Sequence, residues 1–157
     1  MESKVVCKTM LYEYRNLEKY CDNVDGQLWR CGMKSRNINV YEAVDRLVKL
    51  NNEKIAYCNI KVIIDEAFEA LPEKYELKAY YIDGVEFAKL EAETGIQAKS
   101  LFRRLEKQRN ALCLNILSRY DFDYLFGLIS DSRILLSRYR QLHNAELLGN
   151  FAGFKKG

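Results

Sequence analysis

Three cations, Lys99, Arg103 and Lys107, recur every four residues in GIQAKSLFRRLEKQRNAL (95–112). On an α-helix that spacing puts them on one face. Fixed positive charges in a row pair with phosphate oxygens, so the chemistry on offer is electrostatic binding of a polyanion. Ser100 and Arg104 flank the row, and Leu101 and Leu105 fall opposite it. A solvated helix face is the plainer reading of the same residues.

The distribution of charge favours the first reading. The whole chain carries a formal net charge of only +3. From 83 to 96, four acids stand against Lys89, a net of −3. From 97 to 109, Lys99, Arg103, Arg104, Lys107 and Arg109 stand against Glu106, a net of +4. Adjacent blocks of opposite sign predict one segment that repels phosphate and a next that attracts it.

Nothing in the sequence composes a catalytic site. The acids are scattered, and there is no glycine-rich phosphate loop or serine elbow. Five cysteines (Cys7, Cys21, Cys31, Cys58, Cys113) form no CxxC, and the single His143 lies far from them in the chain. These features argue against a zinc site, a disulfide framework, a cofactor or an enzyme. No leader and no membrane-length apolar run is visible, so the expected setting is a reducing cytoplasm with cysteines acting as small apolar residues. The lone His143 reads as a surface or helix-end residue.

The elements that would position the cationic row are helices. The chain has 157 residues, 48% of them hydrophobic and 30% charged, with one proline and eight glycines. So few breakers predict an all-α fold. Cys7, Met10, Tyr14, Leu17, Cys21, Val24, Leu28 and Cys31 alternate steps of three and four, the 3.5-residue period of a coiled-coil seam. One continuous helix of about 37 Å would follow. The segment 32–39 reads as a connection. Val44, Val48, Asn51, Ile55, Cys58 and Val62 then repeat the pattern within a helix over 40–70. Asn51 is either a polar layer that fixes register or a residue facing water beside Asn52. The two helices are expected to pair as an antiparallel hairpin, and the first seam either packs within the chain or joins two copies. Trp29 and Tyr41 near the hairpin tip are candidates for a partner surface.

Leu71-Pro72 ends this region. Short helices are expected over 72–84 and 86–94, the first offering Tyr75, Leu77, Ala79, Tyr80 and Ile82 to a core. Gly95 is placed to end the second in a left-handed conformation. A third helix runs from about 97 to 120, with Phe87, Leu90, Ile96, Leu101 and Leu105 as the small core between the last two. A final amphipathic helix is expected over 124–148, followed by a loose glycine-rich tail. The domain reading is therefore 1–71, 72–120 and 121–157.

The block ALPEKYELKAYYIDGVEFAKLEAETGIQAKSLFRRLEKQRNAL (70–112) resembles region four of bacterial sigma factors. Leu71-Pro72, the Tyr-x-x-Gly of Tyr81 to Gly84, Gly95-Ile96 and the Leu-x-x-Arg-Leu of Leu101 to Leu105 fall in that family's register. The resemblance implies a helix-turn-helix, and the arrangement with preceding helices is similar to small phage-type transcriptional regulators of the ArpU kind. Glu91 stands where the family usually has a small alanine, Thr94 where it has an apolar residue, and Gln97 where it has a serine or threonine cap. The close helix crossing would then fall to Ala88 or Ala92.

The expected function is DNA-binding regulation of transcription, with the third helix in the major groove of double-stranded DNA, which is about 12 Å wide. Gln97, Lys99, Ser100 and Arg103, near the helix start, are the candidate base contacts. Arg104, Lys107 and Arg109 are the candidate phosphate contacts. The chain is expected to be a homo-oligomer, with RNA polymerase a further candidate partner and no membrane. The alternative is a protein-interaction module whose helix-turn-helix is vestigial, binding RNA polymerase, a sigma factor or a phage assembly protein.

Overall fold

The computed structural model describes residues 2–34 and 39–156, and among them every regular element is helical. In chain order these are α1 (Glu2–Glu13), a 3-10 turn (Tyr14–Asn16), α2 (Leu17–Lys34), α3 (Val40–Ala70) and α4 (Tyr75–Tyr81). They are followed by α5 (Phe87–Thr94), α6 (Ala98–Arg119), α7 (Phe122–Ser130) and α8 (Arg133–Lys156). The all-α expectation holds. Residues 35–38 of the expected connection lie outside the described residues, and α2 extends to Lys34.

The seam from Cys7 to Cys31 does not lie on one continuous helix. Glu13 is buried, and its carboxylate accepts from Asn16 Nδ2 at 3.1 Å and Tyr20 Oη at 2.8 Å. It also pairs with Arg138 Nε at 3.2 Å. Side chains at i and i+3 eclipse in a 3-10 turn, which brings Asn16 over Glu13. The regular spacing survives this break because the turn removes little length.

The break separates two roles. α1 is the inner helix: Val5, Val6, Cys7, Met10 and Leu11 have no exposed surface, and α1 packs against α3, α6, α7 and α8. Each fully buried aliphatic of this size contributes roughly 1.5–3 kcal/mol of burial. α2 lies instead along α3. Tyr14 Oη donates to Asp65 at 2.6 Å, Tyr20 stacks obliquely on Tyr57, and Lys54 Nζ pairs with Asp25 at 2.6 Å. Partners descend on α3 as they ascend through Tyr14, Tyr20 and Asp25, so α2 and α3 run antiparallel.

α3 buries Ala56, Tyr57, Ile60, Ile63, Ile64, Ala67 and Phe68. The seam read from the sequence, Val44 to Val62, is on its other side and is exposed. The periodicity was real, but the stripe that the chain buries is a different one. One apolar core runs from Val5 through α3 and α6 to Tyr139, so it draws on all three sequence-defined segments.

The expected last helix is two helices. Ser132 is fully buried, shares a 2.7 Å hydrogen bond with Tyr57 Oη, and accepts the Leu135 N–H at 3.2 Å. That side chain satisfies one of the unpaired donors at the start of α8 and so favours a new helix at Arg133. The segment read as a loose tail is helical through Lys156. His143 is half-buried and stacked on Tyr139.

Candidate nucleic-acid interface

The cationic row is held from behind by a small apolar cluster. Ala79 of α4, Leu90 of α5 and Leu101 of α6 are buried together, with Tyr80, Val85, Phe87 and Ile96 against them. Leu105 is buried too but belongs to the main core. Tyr75, expected in the core, is exposed, because α4 starts there and its buried stripe is Glu76, Leu77 and Ala79.

Gly95 joins α5 to α6 at φ 69°, a left-handed conformation that glycine adopts without a Cβ penalty. Its N–H donates to Glu91 O at 3.0 Å. Thr94 turns its hydroxyl back to Leu90 O at 2.7 Å, and the Ile96 N–H reaches the same hydroxyl at 3.4 Å. A polar residue thus serves where an apolar one was expected. Neither Ala88 nor Ala92 takes a close crossing: both are exposed, Glu91 is half-buried, and Leu90 makes the contact. Leu90, larger than alanine, fills the angle between α5 and α6.

Gln97, Lys99, Ser100, Arg103, Arg104 and Lys107 are all exposed on α6. Gln97 stands at the N-cap without a side-chain hydrogen bond there. Arg104 is tied at its tip, with Nη1 2.8 Å from the buried Glu76 carboxylate.

Arg109 is the exception. It turns inward, half-buried, and Nη1 donates to Tyr12 Oη at 3.1 Å and Tyr81 Oη at 3.3 Å. Tyr12 and Tyr81 are stacked at 5.1 Å. Burial pushes the Tyr81 hydroxyl up to about 12, and Arg109 pulls against that shift. Arg109 follows Leu105 by four and precedes Leu112 by three, which sets it at the edge of the apolar stripe. That spacing was a readable signal, and it removes Arg109 from the outward cationic set.

Sequence reasoning missed a contribution from α4. A groove of about 760 Å³ lies between the start of α4 and α6. Lys74, Lys78, Arg103, Arg104 and Lys107 line it with Tyr75, against Glu73 and Glu76. Five bases and two acids give the groove a formal net charge of +3. The signal was again spacing: Lys74 and Lys78 are four apart.

Glu76 holds the groove floor. Burial pushes its carboxyl up, but the Gln108 amide and the Arg104 guanidinium outweigh that and leave it below the usual glutamate value. Gln108 is buried on the apolar stripe, where its polarity was easy to overlook.

No family model, no curated protein and no solved structure matches this chain. Among the described residues no helix is long and apolar enough to cross a membrane, and no group of three or more His, Cys, Asp or Glu side chains could hold a metal ion.

Proposed function

We propose that this chain is a non-enzymatic DNA-binding regulator. On this reading α2 and α3 form a helical hairpin, and α4 to α6 form a sigma-like helix-turn-helix with α6 in the major groove. The observation that carries it is the exposure of Lys99, Arg103 and Lys107 along one face of α6, backed by buried Leu101, Leu105 and Leu112. Lys74 at the N-cap of α4 and Lys78 within it widen the cationic surface, and Tyr75 adds an exposed ring beside it. Such a surface can neutralise phosphates on either side of a groove while Gln97, Lys99, Ser100 and Arg103 approach base edges.

A fluorescence-anisotropy titration with mixed-sequence duplex DNA, repeated over a range of salt, tests the reading. Each neutralised phosphate contributes about −0.9 to the slope of log K against log salt. Lys99→Ala with Arg103→Ala should weaken binding and make that slope shallower by about 2. Binding and slope unchanged in the double variant would refute the surface.

A second reading has one observation of its own. Phe102, 59% exposed, sits on α6 beside the cationic row. An exposed ring there suits a protein partner such as RNA polymerase or a sigma factor, with the helix-turn-helix vestigial. Recovery of polymerase subunits on the immobilised protein, lost in Phe102→Ser, together with no salt-sensitive DNA binding, would favour it.

A further inference from the structure

α3 carries apolar residues on three faces: two are packed within the chain, and the third meets α2 only at its edge, where Cys58 lies against Cys21. One face enters the core through residues such as Ile60, Ile63 and Ala67. A second meets α2 at Tyr57 and Lys54 and the preceding 3-10 turn at Asp65. The third carries Val44, Val48, Asn51, Ile55, Cys58 and Val62, and every one of them is exposed. Val44, Val48, Ile55 and Val62 each show about half of their surface, at 53%, 51%, 48% and 52%. Tyr41, one step earlier in the same repeat, is 86% exposed.

We infer that this third face is the interface of a parallel homodimer, in which α3 of one copy packs on α3 of a second. Three observations select that occupant. First, the steps of four and three persist from Tyr41 to Val62, a stripe of about 33 Å over three heptads. That period fits another helix supercoiled against it, not a strand or a loop. Second, the stripe contains no charged residue over that length, so a two-fold axis through it sets no like charges together.

Third, Asn51 lies in the middle of the stripe. A buried amide needs a polar partner at its own level. A parallel, in-register second copy supplies one, because Asn51 meets Asn51. An antiparallel copy sets Asn51 against Ile55 or Val48 and leaves the amide unpaired. The flanks agree with the parallel arrangement. Lys61 then falls opposite Glu66 of the second copy, and Lys54 opposite Asn59, so no flanking pair has like charges.

The same register brings Cys58 of both copies to one level. Cys58 is a free, exposed cysteine. It also lies against Cys21 of its own chain, so the test uses a Cys21→Ser background.

The inference goes beyond the DNA reading and is measured without DNA. Light scattering of the full chain after size exclusion should give the mass of two chains. Val48→Glu with Ile55→Glu should weaken self-association on the order of 100-fold, since it buries charges in the seam. Circular dichroism should show unchanged helix content, because both sites are exposed in the single chain. Val44→Lys with Val62→Lys, at the ends of the stripe, should do the same by a separate route. A short bismaleimide should link Cys21→Ser chains into a covalent dimer, lost in Cys58→Ser. A single-chain mass at the highest soluble concentration overturns the inference, as does a dimer that both charged variants preserve. A dimer whose covalent linkage survives Cys58→Ser, or that never links at Cys58, overturns the parallel register.

Discussion

Gln108 Nε2 donates to Glu76 Oε2 at 2.7 Å, which ties the middle of α6 to the first turn of α4. The same amide uses its oxygen to accept the Leu77 N–H at 2.9 Å. One side chain therefore satisfies a buried carboxylate and a backbone donor that α4 cannot satisfy within itself.

Removing that amide leaves both groups in need. Gln108→Ala should cost about 1–3 kcal/mol, the desolvation penalty of orphaned polar groups in place of a simple loss of packing. Urea unfolding monitored by circular dichroism measures it. Gln108→Leu, which keeps the volume but not the partners, should recover little of the loss. Full recovery would mean that volume and not hydrogen bonding holds the two helices.

Acid should loosen the same junction. The folded Glu76 carboxyl titrates below its ordinary value, held down by Gln108 and Arg104 against the opposing effect of burial. A carboxylate depressed in the folded state contributes stability above its unfolded value, about 4.3 for glutamate, and that contribution disappears as pH falls through the folded value. Urea midpoints taken from neutral pH downward should fall on acidification below that range. Glu76→Gln should lower stability at neutral pH and flatten this part of the profile. Parallel profiles for the two proteins would show that other carboxyls carry the acid sensitivity.

The two left-handed glycines should respond to alanine for different reasons. At Gly95 a Cβ meets nothing within 4 Å, so Gly95→Ala should cost only the backbone term, about 1–2 kcal/mol. Gly95→Asn should cost less, since asparagine tolerates that conformation. At Gly84, with φ 72°, a Cβ would lie 2.6 Å from Arg15 Cζ. The guanidinium must then swing away in addition to the backbone cost. Thermal unfolding of Gly84→Ala alone and combined with Arg15→Ala separates the two: a smaller penalty in the Arg15→Ala background reports the clash.

Some of this structure was legible in the residue order. The 40–70 helix, the stop at Gly95 and the exposed cations of α6 followed from spacing, breakers and charge. What spacing could not decide was direction. α3 has apolar residues on three faces, so periodicity alone offered several seams and no way to rank them. The core took Ile60, Ile63 and Ala67 and left Val48 and Ile55 outside. The turn at Tyr14–Asn16 was hidden for a related reason: Glu13, Asn16, Tyr20 and Arg138 gather only once distant segments are in place. Charge misled at Arg109, where formal cationic character suggested solvent and two tyrosine hydroxyls drew the side chain inward. Polarity misled at Gln108, whose place on the apolar stripe only makes sense once Glu76 is opposite it.

The central position of α1 limits how this architecture can be divided. A fragment starting after Leu71 would keep Gly95, the cationic row and the small cluster, but not α1 and α3, which pack on α6 in the core that holds Leu112, Cys113 and Ile116. Those side chains would open onto water along the far half of α6. The cationic segment is therefore no portable cassette: its rigidity is borrowed from the opposite end of the polypeptide, and transplanting it requires carrying both α1 and α3 along.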